Sequence, residues 1–150
     1  MIPMKDARGP AEPSEITLFQ DTFHLCLPKD YEQLLLHTNG GVPCDANCYY
    51  SAAVELPVGK GFEVAEFFRL FSHDETHDSV AGITEWFIEN LPFDGIAIGR
   101  DDSGNLIGIH TDTGRVFWHC CDPNYELYNG FSIDLGQEFA EFIHLLRPRI

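Results

Sequence analysis

Between Phe93 and Asp122 apolar residues alternate with polar ones and turn residues recur at short intervals, a pattern that predicts three strands joined by two tight turns. Ile96 and Ile98 precede Asp101-Asp102-Ser103-Gly104, Ile107 and Ile109 follow it, and Thr111-Asp112-Thr113-Gly114 leads to Val116, Trp118 and Cys120. Residues two apart share one face of a strand, so each set marks one side of a sheet. Gly104 and Gly114 stand where such turns need φ > 0, and the Asp side chains can bond back to the backbone two residues on. This β-meander is the centre around which the remaining pattern is arranged.

Helical spacing brackets it on both sides. Ile16, Phe19 and Phe23 predict a short helix capped by Ser14, running into an extended approach through Leu25 and Leu27. Pro28 suits a first helical turn, Asp30 and Glu32 complement its dipole, Tyr31, Leu34, Leu35 and Thr38 line one face, and Asn39-Gly40-Gly41 ends the helix. A loop over Val42 to Asn47, a strand through Tyr50 to Leu56 and a turn at Pro57 to Gly61 follow. From Phe62 to Phe71 the apolar residues fit both a helix and a two-sided buried strand, and periodicity leaves both open. Ser72 to Asp78 reads as a loop. Asp78 or Ser79 caps a helix with Val80, Ile83, Phe87, Ile88 and Leu91 as its stripe. After the meander, Pro123 to Gly130 reads as a loop with two tyrosines. A last helix is expected to begin near Leu135 or Gly136, with Phe139, Phe142, Ile143 and Leu146 inward. Capped helices, a meander and a closing helix together predict an α+β domain with helices packed against one sheet.

At 150 residues the chain has room for one core. Met1 to Pro13 has no periodicity and is punctuated by Pro3, Gly9, Pro10 and Pro13, so residues 1–13 are expected to form a flexible tail and 14–150 a single domain. No apolar run approaches the roughly 20 residues that cross a bilayer, and the first residues have no apolar core of a secretory signal, which predicts a soluble, cytoplasmic protein. Five cysteines form an odd set and predict packed thiols rather than a disulfide framework.

Charge narrows the partners. Against 24 acidic residues stand 9 basic ones, a formal −15 that repels phosphate backbones and anionic lipid. Nucleic acid and membrane are therefore poor partners, whereas a basic protein would be captured faster; solubility alone is the plainer account of the same charge.

Candidate chemistry is thin. His73 and His77 enclose Asp-Glu-Thr, but the Glu is one place removed from that of a zinc-protease helix and the segment reads as polar loop. Cys44, Cys48, His119, Cys120 and Cys121 hold ligand-type atoms, yet the Cys-x-x-x-Cys spacing is loose and adjacent cysteines on a strand face opposite ways. Asp101 to Asn105 resembles a calcium loop with Leu106 where glycine is required. A Cys-His nucleophile could be drawn from His110 or His119 with Cys120 or Cys121, but no oxyanion donors are marked. No phosphate loop, dinucleotide fingerprint or serine elbow occurs. No metal, cofactor or catalytic residue is expected, and the chain reads as a non-enzyme.

Leu27-Pro28-Lys29-Asp30-Tyr31, Leu35 and Asn39-Gly40-Gly41 resemble the opening signature of the SUKH superfamily (Smi/Knr-like), which includes fungal cell-wall-assembly regulators and many bacterial immunity proteins. Ile96-Ala97-Ile98-Gly99, Asp101, Gly104-Asn105 and Ile107 resemble its later hairpin, Val116 to Asp122 the next strand, and Phe139-Ala140-Glu141-Phe142 its closing helix. The resemblance implies a mostly antiparallel or mixed sheet and, in bacteria, a non-catalytic immunity protein that binds and neutralises a toxin. The alternatives are a regulatory interaction module of the same fold and a metal- or thiol-dependent enzyme. The cysteines are a departure from the family pattern. For a basic toxin, Asp101, Asp102 and Asp112 in the meander turns, read as exposed, are the first candidates for partner binding, joined by Asp45, Tyr49, Tyr50, Asp74 and Glu75 in the loops.

Overall fold

The computed structural model describes residues 2–57, 59–72, 78–121 and 130–148. The meander stands as read: β5 (Gly95–Asp101), β6 (Leu106–His110) and β7 (Arg115–Cys120) pair in sequence, all antiparallel. Gly104 and Gly114 take φ +86° and +75° in its two turns, where a side chain would be strained. Ile107 lies opposite Trp118 and Ile109 opposite Val116, so the expected face is real. The other face is buried too. Gly95 to Gly99, Leu106 to Ile109 and Val116 to Cys120 are all buried, which requires cover on both sides.

That cover comes from helices in two layers. On one side α3 (Val80–Asn90) sets Phe87 against Phe117, with ring centroids 5.6 Å apart, and Thr84 Oγ1 accepts from Ala97 N at 3.1 Å where the β5–β6 register shifts. Phe117 sits in its row over glycines: a Cβ on Gly95 would stand 3.0 Å from the ring, and one on Gly108 would collide with it. On the opposite side α4 (Phe139–Leu145) packs against α2 (Lys29–His37) and part of the sheet. Phe139 meets Tyr31 and Phe67 edge-on at 5.2 and 6.5 Å, and Phe142 lies 4.9 Å from Tyr50.

The sheet runs β1-β2-β4-β5-β6-β7-β8, with β3 also paired to β4, and every described pairing is antiparallel. Here β1 is Met4–Ala7, β2 Gly41–Pro43, β3 Tyr49–Leu56, β4 Gly59–Phe67 and β8 Phe131–Glu138. The ambiguous stretch after Gly61 is thus largely strand, because β4 takes β2 and β3 as partners as well as β5 and buries its aromatics between the layers. Two other expectations are corrected at the N-terminal side. The segment read as a flexible tail carries edge strand β1 and buries Ile2 and Ala11, since Met4 to Ala7 finds hydrogen-bond partners in β2. The expected loop over 42–47 contains the end of β2 and a 3-10 turn, Asp45–Asn47.

Helix starts moved for local and distant reasons. In α1 (Pro13–Phe23) the cap is Glu12 rather than Ser14, because Pro13 fits the first helical position and Glu15 accepts from Glu12 N at 3.0 Å. The last helix begins at Phe139, not near Leu135 or Gly136, since Ile133 and Leu135 extend the sheet along β7. Its first turn is capped from α2, where Asp30 Oδ2 accepts from Ala140 N at 2.9 Å. The Asn39-Gly40 corner that closes α2 is equally tertiary. Asn39 Oδ1 accepts from Leu70 N at 2.7 Å, and a Cβ on Gly40, at φ +80°, would fall 2.5 Å from Phe67 O.

An ion cluster fastens the N-terminal segment to the sheet. Arg8 Nη2 and Arg100 Nε reach the Glu66 carboxylate at 2.6 and 3.2 Å, and Arg8 Nη1 donates to Phe67 O. Partial burial alone would raise the Glu66 pKa, but the two guanidiniums prevail and hold it below 4.5. The depressed pKa means stability that is full above the unfolded value and fades as pH falls through the folded one. Glu66→Gln should therefore cost stability at neutral pH, with the gap to the parent closing below pH 4.5, as urea denaturation across that range would show. Trp118, fully buried, should on replacement by Ala cost about 3 to 5 kcal/mol in the same measurement.

Candidate functional site

The expected binding carboxylates separate into two kinds. Asp101 is completely buried, and its carboxyl group accepts four hydrogen bonds: Ser103 N at 2.9 Å, Asn105 N at 2.8 Å, Asn105 Nδ2 at 3.2 Å and Trp118 Nε1 at 2.9 Å. Asn105 Oδ1 in turn accepts from Cys121 N at 3.0 Å. Asp101 thus closes its own turn and ties it to β7, because the buried donors need an acceptor. The reading of Asp101 as an exposed contact residue is corrected accordingly. Asp102, its neighbour, is exposed.

Asp112 is exposed in the β6–β7 turn, at the other end of β6. Five strand residues at about 3.3 Å each place the two turns roughly 17 Å apart. Asp45 is exposed on the 3-10 turn and pairs with Lys5 Nζ at 3.1 Å. Adjacent residues on a strand face opposite ways, and the two tyrosines of β3 divide on that rule. Tyr49 is half-buried, with Arg147 paired to its backbone and the guanidinium 5.9 Å from its ring centroid. Tyr50 is buried against Phe62 and Phe142, its hydroxyl bonded to the Gln137 side chain, and burial followed by the nearby Glu141 charge raises its pKa. Tyr50 is therefore removed from the contact candidates. Asp74 and Glu75 lie outside the described residues, as do His73 and His77.

The expectation of packed thiols holds for Cys48 and Cys120, which are buried, whereas Cys44 is half-buried and Cys26 and Cys121 are exposed. No disulfide joins the five cysteines, all of them described, and among the described residues no three His, Cys, Asp or Glu side chains converge as metal ligands. Cys121 is exposed as a residue, but its sulfur lies 3.9 Å from His119 O and burial pushes its pKa up to about 11, so little thiolate forms at neutral pH. His119 is buried between the rings of Trp86 and Phe87, each 5.8 Å away, with Nδ1 2.8 Å from Ser132 Oγ. His110 lies among Phe93 and Phe117 at 4.5 and 4.8 Å.

A feature that sequence reading missed lies between α2 and α4. Asp30, Gln33 and Leu34 from one helix and Phe139, Ala140, Ile143 and His144 from the other line an open groove of about 400 Å³. Both sets follow helical i, i+3, i+4 spacing, a visible signal, but placing the start of α4 too early blurred which of its residues face outward. Leu145, next in the chain, is 43% exposed.

The Asp101 environment separates two neighbouring substitutions. Asp101→Lys should destabilise the fold by more than about 4 kcal/mol, because it removes a buried acceptor and buries a cation among the donors it leaves, whereas Asp102→Lys should stay within about 0.5 kcal/mol. Chemical denaturation of the two variants checks both.

In comparison with known proteins, the profile of the SMI1/KNR4 family (SUKH-1) fits residues 10–144. No curated protein and no solved structure matches the chain.

Proposed function

The chain belongs to the SMI1/KNR4 family (SUKH-1), and from that membership we propose that it is an immunity protein that binds and neutralises a cognate basic toxin. At family level the fold serves as a non-catalytic immunity or regulatory module, and the family works through protein–protein interaction. The family match carries the reading. The charge of −15 supports a basic partner, and Asp102, Asp112 and Asp45 offer exposed carboxylates to draw it in, while Tyr49 offers an aromatic contact. No described helix is long and apolar enough to cross a membrane. In this reading inhibition is by occupancy: the partner's active surface is covered, and no bond is made or broken.

Co-expression with the product of the adjacent gene tests it. Growth inhibition by that product should be relieved, and the two chains should purify as a stoichiometric complex. Association should slow as salt rises and slow severalfold in Asp102→Lys with stability unchanged, since an exposed charge acts on encounter more than on residence. Persistent toxicity with no complex would refute the immunity role and favour the regulatory module.

A further inference from the structure

We propose that the groove between α2 and α4 is the docking site for an amphipathic, lysine- or arginine-rich helix of the partner, an inference that rests on the interaction role proposed above. Leu34, Phe139, Ala140 and Ile143 give the groove an apolar lining. Apolar anchors held within a polar rim are what protein interfaces use to generate affinity.

The helix follows from the walls. Both sides of the groove are helices whose backbone groups are bonded within their own turns, and Ala140 N, free of any intrahelical partner at the start of α4, already donates to Asp30. An extended segment would find no ladder of donors and acceptors there. A helix arrives with its backbone satisfied and offers side chains at i, i+3 and i+4. The seven residues of α4 span roughly 10 Å at about 1.5 Å each, a length matched by two turns of a partner helix.

The charge of the occupant follows from the rim. No lysine or arginine lines the groove, and Asp30 does. In a chain of net charge −15 this carboxylate complements a cationic helix and repels an acidic one.

The experiment is a nuclear magnetic resonance titration of the labelled full chain with three short helix-forming peptides: leucine with lysine, serine with lysine, and leucine with glutamate. The leucine–lysine peptide should shift the amide signals of Gln33, Ala140, Ile143 and His144, and the other two should bind roughly tenfold more weakly or not at all. Ala140→Trp and Gln33→Trp, both at exposed positions, should fill the groove and weaken binding by a similar factor while the dispersion of the remaining signals shows an intact fold. Equal binding of the serine–lysine peptide, or indifference to both tryptophan variants, would overturn the groove assignment. Shifts mapping to another face would also overturn it while leaving a basic partner tenable, and the partner role itself is judged separately by the co-expression experiment.

Discussion

The buried carboxyl group of Asp101 is the constraint on which the order of this sheet depends. In a sheet with one wet face, a one-residue slip would carry the apolar set into water, and that penalty fixes the register. Here β5, β6 and β7 are buried on both faces, so a slip exchanges one apolar environment for another and the penalty shrinks. Register has to come from directional contacts. Asp101 supplies them by accepting from its own turn and from the Trp118 indole two strands away, and the Asn105 side chain extends the tie to Cys121. Phe117 adds a steric lock, because Gly108 lies opposite it and leaves room for its ring. Polar specificity and glycine placement here do what amphipathic alternation does in a half-exposed sheet.

Burying both faces also decides where recognition can occur. The meander offers its turns rather than its surface, and in those turns the Asp101 carboxylate is buried in structure while its neighbour Asp102 is exposed. The helical layers offer outer faces, among them the groove between α2 and α4. An interaction protein built this way separates its scaffold from its contacts within single turns of chain.

Much of the fold was legible because its signals are local. Two-residue alternation gave the three meander strands, Gly104 and Gly114 marked their turns, and of the two caps open for α3, Asp78 and Ser79, it is Ser79 whose Oγ accepts from Gly82 N at 3.0 Å. What was missed depends on distant partners. Met4 to Ala7 has no strand pattern of its own and becomes one through β2, with Arg8 held by Glu66. The start of α4 is set by Asp30, 110 residues earlier, so no window of sequence around Phe139 contains its cap. The candidate site fared less well than the fold, because exposure was inferred from residue type: Asp101 and Tyr50 look like surface residues and are core. In each, the polar atoms are satisfied by partners that lie close only after folding, Trp118 for one and Gln137 for the other.

The Asp30 cap has a thermodynamic consequence for whatever occupies the groove. One carboxylate is at once part of the groove wall and the bond that holds the opposite helix in place, with its second oxygen accepting from Tyr31 N at 2.8 Å. The two walls are therefore mutually positioned before any ligand arrives, on elements whose inward rings already interlock. Little conformational entropy remains to be lost on that side of the complex, so the ordering cost of association falls mainly on the incoming segment. Differences in affinity among partners would then report how readily each partner adopts its bound shape, with this protein acting as a fixed gauge.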